Sequence, residues 1–172
     1  AFVLAAGRGE RMRPLTDTTP KPLAKIHNKA MIDYALEKIS ALKNINKIIV
    51  NSYYLAEVLE AHLQNLNNPK IIISHATEKL ETGGGLVKAM DFLDVNQPIL
   101  IINGDLFWQD ENNSLLQTMI ENFDEKKMDI LLALKPNTEF FGYEGNGDFD
   151  LNIKTGELRK SANPSQTYIG IQ

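Results

Sequence analysis

The sequence predicts an α/β fold built around a mostly parallel sheet. Three observations carry that prediction. Short strand-like runs alternate with segments of helical period along most of the chain. The strand-like runs are apolar throughout rather than alternating, the pattern of strands covered on both faces. The 172 residues are 43% hydrophobic and 23% charged, which suits an ordinary globular chain with one sizeable core.

Residues 1 to 6 form the first expected strand. Met31 to Leu42 has apolar residues at 31, 32, 35, 36, 39 and 42, a helical period. Lys47 to Val50 is a β-branched strand. Tyr54 to Leu66 repeats the helical spacing, and Ile71-Ile72-Ile73 is a third strand. A glycine turn then leads into an expected helix over Gly85 to Leu93. Pro98 to Ile102 is the fourth strand and stops at Asn103-Gly104-Asp105. Leu115 to Phe123 is a helix and Asp129 to Leu134 a fifth strand.

After Pro136 glycines punctuate short polar segments. Phe149 to Ile153 and Glu157 to Lys160 flank Thr155-Gly156 as a small hairpin. A single domain over residues 1–172 is expected. Both ends read as cut: the chain opens directly on a strand, and Tyr168 to Gln172 alternates like a strand in mid-course, so further residues are expected beyond it.

No apolar run approaches the ~20 residues that span a bilayer, and no signal-peptide pattern opens the chain, so no membrane partner is expected. Cysteine is absent, which excludes disulfides and thiolate metal sites and fits a reducing cytoplasm. The three histidines, His27, His62 and His75, share no metal-ligand spacing and read as structural. No serine sits in a nucleophile-elbow string, and Trp108 is expected to pack rather than bind.

The net charge of −4 is polarised. Residues 1 to 29 hold six Lys/Arg against two Asp/Glu; the rest hold twelve against twenty. A nucleic-acid binder spreads its cations over one face. Here they concentrate in one glycine loop, which points to a compact anionic ligand and not to nucleic acid. The loop runs from Gly7 through Gly9, Arg8, Arg11 and Arg13 to Lys21, which lies between Pro20 and Pro22 and is expected to be extended. Free backbone N–H groups beside fixed cations suit a polyphosphate. Two other glycine motifs are excluded. No G-x-x-x-x-G-K-[ST] string occurs, and the third glycine of G-x-G-x-x-G is replaced by Met12.

Asn103-Gly104-Asp105 ends an inner strand, at the edge where open α/β sheets bind ligands. A carboxylate there is a hard oxygen ligand suited to Mg²⁺; a turn or helix-cap role is the alternative. Glu81-Thr82-Gly83-Gly84-Gly85 could bring main-chain groups to a flat ligand, or serve as a flexible connector. Gly142-Tyr143 and Gly147-Asp148-Phe149 could line a sugar pocket or be ordinary turn residues.

Taken together, LAAGRGERMRPLT…PKPL, ETGGG and INGD resemble the sugar-1-phosphate nucleotidyltransferases, most nearly their short bacterial branch, over most of the chain. The resemblance implies a three-layer Rossmann-like sandwich with a small β-hairpin extension. It implies that Arg11 holds the triphosphate and Lys21 the α-phosphate, with Arg11, Lys21 and Asp105 the catalytic set. Main-chain groups of Ala5, Ala6, Gly7 and Gly9, with Thr82 and Gly83, would bind the nucleotide. Asp105 would bind Mg²⁺, completed in the family by an aspartate far downstream, for which no motif is visible here. Asn103, Gly147, Asp148 and Gly170 would face the sugar. Two departures stand out. The larger relatives' Glu-Lys-Pro reads Ala162-Asn163-Pro164, and a Gln or Glu that often reads the base is Ala76.

The implied partners are an NTP and a sugar-1-phosphate, with pyrophosphate leaving. The preferred pair is UTP with N-acetylmuramate-1-phosphate. GTP with mannose-1-phosphate, CTP with phosphocholine, and a catalytically silent nucleotide sensor are the alternatives.

Overall fold

The computed structural model describes all residues except Val95, Glu111, Asn113 and Phe141–Tyr143. The Gly142-Tyr143 expectation therefore lies outside the described residues. The chain divides into two compact units, Ala1–Asn122 and Phe123–Gln172.

The first unit holds a four-stranded parallel sheet. Its strands are β1 (Phe2–Leu4), β4 (Ile48–Ser52), β5 (Ile71–His75) and β6 (Ile101–Asn103), in the order β5-β4-β1-β6. A short hairpin of β2 (Lys25–Ile26) and β3 (Lys29–Ala30) precedes α1 (Met31–Ala41). The remaining helices are α2 (Ala56–Asn65), α3 (Thr82–Ala89) and α4 (Leu115–Asn122). The register aligns Phe2 with both Ile49 and Ile101, and Val3 with both Val50 and Ile102. All six are apolar because both faces are covered. Phe2, Ile49 and Ala89 of α3 form a core with Leu4, Ile72, Leu86, Leu93, Ile99 and Ile101 on one face. Val3, Val50 and Ile102 point the other way and are equally inaccessible. Met31, Ile32, Ala35, Leu36 and Ile39 form the buried stripe of α1 at the spacing its sequence predicts.

Strand order positions the site. From β1 the chain passes through α1 to β4 and through α2 to β5, moving outward in one direction. α3 then carries it back past β1 to β6. Parallel crossovers are right-handed, so this reversal puts α3 on the face opposite α1 and α2. The carboxyl ends of β1 and β6 lie side by side where the direction changes, the place where sheets of this kind bind ligands.

The second unit is antiparallel. β7 (Leu134–Pro136) pairs with β10 (Gln166–Tyr168), and β8 (Asp150–Leu151) pairs with β9 (Leu158–Arg159). The β8–β9 hairpin is the one expected around Thr155-Gly156.

Three expectations need correction. The fifth strand is not Asp129–Leu134; it begins at Leu134 and runs antiparallel to β10, so it does not extend the parallel sheet. The helix after β5 does not wait for Gly85: α3 begins at Thr82 and takes the glycines into its first turns, none with positive φ. The closing segment does not continue as a strand from Tyr168, because Gly170 turns the backbone at φ +86° before Ile171 pairs with Ala133.

Among the described residues no helix is long and apolar enough to cross a membrane.

Candidate active site

The loop leaving β1 is held by its own side chains. Gly9 adopts φ +62°, a left-handed conformation that glycine takes without cost. A Cβ there would also stand 2.9 Å from Lys21 Cβ. Thr16, itself buried, donates from its hydroxyl to the Gly9 carbonyl at 2.9 Å, and the Tyr54 hydroxyl donates to the Thr16 carbonyl at 2.8 Å. Two of the three arginines are engaged. Arg8 lies 5.1 Å above the Tyr54 ring, and Arg13 pairs with Asp17 at 3.2 Å. Arg11, exposed in the 3₁₀ turn Glu10–Met12, has no ion pair among the described residues.

Lys21 is not extended as expected. It opens a 3₁₀ turn over Lys21–Leu23, with Leu23 N–H donating to the Pro20 carbonyl at 2.8 Å. Pro22 fits there because the first positions of a helical turn need no donor. The turn brings the Lys21 ammonium onto the Asp105 carboxylate as an ion pair, each side chain 29% exposed. Asp105 reaches that place because β6 pairs with β1 through Leu4 and Asn103, and Gly104 N–H donates to the Leu4 carbonyl at 2.8 Å.

Of the expected site residues, Ala5, Gly9, Lys21, Asn103 and Asp105 thus gather at the carboxyl ends of β1 and β6. Ala6 and exposed Gly7 follow directly in the same loop. Thr82 and Gly83 form the exposed first turn of α3. A Cβ on Gly83 would meet nothing within 4 Å, so that turn presents open space.

Gly147, Asp148 and Gly170 belong to the second unit. One Asp148 carboxylate oxygen already accepts the Tyr168 N–H at 2.9 Å. Gly147, at φ +86°, is packed so closely that a Cβ would stand 2.5 Å from Asn137 Nδ2. Asp148 is thus tied to β10, and Gly147 is packed against Asn137.

Two of the three histidines pair with carboxylates. His62 meets Asp33 at 2.7 Å and His75 meets Glu60 at 2.8 Å. Burial alone would push the Glu60 carboxyl up, but hydrogen bonds from Ser52 and His75 and the His75 charge outweigh it and hold it below the usual range. Trp108 packs with Lys38 5.2 Å above its ring, and its buried Nε1 has no hydrogen-bond partner among the described residues.

Asn51 is the residue that sequence reasoning missed. It lies in β4, 7% exposed, and its Oδ1 accepts the Ala5 N–H at 2.6 Å. A polar residue closing a run of Ile48-Ile49-Val50 was the available signal.

The residues fit a Mg²⁺ ion. Among the described residues no three acidic or histidine side chains form a cage. Mg²⁺ commonly needs only one or two carboxylates and takes its other ligands from phosphate and water. Asp105 supplies one such carboxylate, and the Lys21 ammonium beside it shows that the position favours positive charge.

A sheet of this order, with cations and a carboxylate at its switch point, defines a nucleotide-handling α/β protein. The chain belongs to the nucleotidyl transferase family, whose model matches residues 1–145. It is 36% identical over 157 residues to the N-acetylmuramate alpha-1-phosphate uridylyltransferase of Caulobacter vibrioides, covering 88% of this chain and 64% of that protein. It is 38% identical over 176 residues to the enzyme of the same name from Neisseria meningitidis serogroup B, covering 99% and 73%. The chain thus spans about two thirds of the length of these relatives. A Bacillus anthracis structure assigned as a glucose-1-phosphate thymidylyltransferase, in complex with a sucrose, superposes with a TM-score of 0.67. It covers 99% of this chain and 68% of its own, at 18% identity, a likeness of fold.

Proposed function

We propose that this protein transfers a nucleoside monophosphate from an NTP to a sugar-1-phosphate, with UTP and N-acetylmuramate-1-phosphate the preferred pair. The observation that carries the reading is the Lys21–Asp105 ion pair at the β1–β6 switch point, beside a preorganised glycine loop with one uncommitted arginine. The two uridylyltransferase relatives support the choice of pair.

The chemistry is in-line displacement. An oxygen of the sugar-1-phosphate attacks the α-phosphorus. That P–O bond forms as the bond to the β-phosphate oxygen breaks, and the electron pair leaves on pyrophosphate. The second phosphate pKa of ~6 leaves the nucleophile largely ionised at neutral pH, so no protein base is needed. Catalysis is positioning and charge stabilisation. Arg11 holds the outer phosphates. Lys21 turns from Asp105 to the α-phosphate and offsets the charge that builds on it. Main-chain groups of Ala5, Ala6, Gly7 and Gly9 and the first turn of α3 at Thr82 and Gly83 hold base and ribose. Asn103, at the carboxyl end of β6, serves the sugar. Asp105 would hold Mg²⁺, which when bound draws charge from the phosphate oxygens. A cysteine-free chain suits the reducing cytoplasm, where we place this reaction.

The test is pyrophosphate release across a grid of four NTPs and several sugar-1-phosphates, with and without Mg²⁺. UTP with N-acetylmuramate-1-phosphate is expected to be fastest. Fastest turnover with GTP and mannose-1-phosphate would reassign the substrates, and no turnover with any pair while nucleotide still binds would favour a sensor.

A further inference from the structure

We propose that Asn51 is a positioning residue for the nucleotide, its amide setting the spacing between the loop after β1 and the first turns of α3. The inference rests on reading those two segments as the nucleotide-binding backbone.

The β1–β4 ladder pairs Phe2 with Ile49 and Val3 with Val50. The next donor on β1's path, the Ala5 N–H, goes instead to the Asn51 side chain, at 2.6 Å and 46 positions away in sequence. A side chain thus takes over where the strand stops, and β1 ends at Leu4 with its loop fixed in direction. On the opposite side of the same amide stands α3. A Cβ on Gly85 would lie 2.8 Å from Asn51 Nδ2, so glycine is required for helix and amide to approach this closely. Gly85 is buried and its own N–H is committed to the Glu81 carbonyl at 2.9 Å.

A buried amide costs free energy unless it is bonded, and an apolar residue would continue β4 without that cost. Glycine inside a helix is destabilising relative to alanine. Two locally unfavourable choices therefore meet at one contact, and that contact joins the two halves of the nucleotide site. Asn51 makes no hydrogen bond to Lys21 or Asp105 among the described residues, so its influence falls on nucleotide placement and not on the phosphate chemistry.

The test is a double-mutant cycle of Asn51→Ala and Gly85→Ala, read by equilibrium binding of each NTP, by the KM for sugar-1-phosphate, and by hydrogen exchange of the Ala5 amide without ligand. Asn51→Ala is expected to weaken nucleotide binding about tenfold, leave the sugar-1-phosphate KM within about twofold, and speed exchange at Ala5. Gly85→Ala is expected to weaken nucleotide binding when Asn51 is present and to add nothing when it is absent, because the truncated side chain leaves room for the methyl group. Unchanged nucleotide affinity in folded Asn51→Ala, additive costs in the cycle, or equal losses for both substrates would overturn the assignment. Should Asn51→Ala fail to fold, Gly85→Ala alone decides: unchanged nucleotide affinity overturns the assignment, and selective loss supports it. A wild-type protein that binds NTPs but transfers nothing refutes the transfer reaction while the cycle still reads Asn51. One that binds no nucleotide overturns both.

Discussion

The segment leaving β6 carries two aspartates, Asp105 and Asp110, each paired with a lysine from elsewhere in the first unit. Their surroundings differ. Asp110 uses both oxygens: Oδ1 accepts from Lys38 at 2.6 Å, and Oδ2 accepts the Leu115 N–H at 2.7 Å, at the start of α4. Its side chain is 15% exposed. Burial alone would push this carboxyl up, but the Lys38 and Leu115 hydrogen bonds and the Lys38 charge hold it below the usual carboxylate range. Asp105 is 29% exposed and has Lys21 as its sole partner among the described residues. The same pair of residue types is a fastening at Asp110, where both oxygens are filled, and at Asp105, where one oxygen has no partner among the described residues, we propose a working contact.

The comparison would break most visibly at Asp105. Asp105→Asn is expected to retain its circular dichroism spectrum and lose Mg²⁺-dependent pyrophosphate release by about 100-fold or more. A folded, fully active variant would end the metal assignment, and an unfolded one would make Asp105 another fastening.

The next largest effect is expected at the cations. Arg11→Ala should lower kcat/KM about 100-fold. Lys21→Ala should also lose activity, and Lys21→Arg should fail to restore it, because a planar fork does not replace a compact ammonium at a tight site. Wild-type kinetics from either arginine-site or lysine-site variant would show the loop to be merely basic.

Asp110→Ala sharpens the contrast from the other side. It should destabilise the fold by about 2 kcal/mol, through the lost hydrogen bond at α4 and the lost ion pair with Lys38, with kcat/KM close to wild type. The pH dependence follows from its depressed pKa. A carboxyl held low in the fold stabilises above the unfolded value of about 4, and that contribution disappears as pH falls through the folded pKa. Unfolding free energies of wild type and Asp110→Ala, measured by denaturant titration at a series of pH values, should therefore converge at low pH and separate towards neutrality.

Much of this was legible in the sequence for a physical reason. Helix and strand periods are local, so α1 and the four apolar strands announce themselves over a few residues, and the Gly7–Lys21 loop gathers its cations within one stretch. What the sequence hid depends on distance. The Ala5–Asn51 bond spans 46 positions and has no local signature. The glycines of α3 read as a turn because the amide that excludes a Cβ at Gly85 lies on another strand. Asp129 to Leu134 read as a strand of the parallel sheet because apolar composition reports neither where pairing begins nor the direction of a partner, here β10 against Leu134–Pro136. The 3₁₀ turn at Lys21 was missed because flanking prolines favour extended backbone in isolation, and the turn is stabilised by hydrogen bonds that composition does not show.

The chain of contacts from Gly9 through Thr16 to Tyr54 has a thermodynamic consequence. Long loops without regular structure carry large entropy when free, and a ligand that must order one gives up affinity to do so. Here folding orders the loop before any nucleotide arrives. Nucleotide binding should therefore show a modest entropic loss for the number of phosphate contacts formed. Thr16→Val removes the hydroxyl while keeping the side chain's volume. Calorimetry on that variant should show a larger entropic penalty on binding, with heat capacity changing towards that of a segment that orders as it binds. An unchanged entropy would mean that the loop's order comes from elsewhere in the fold.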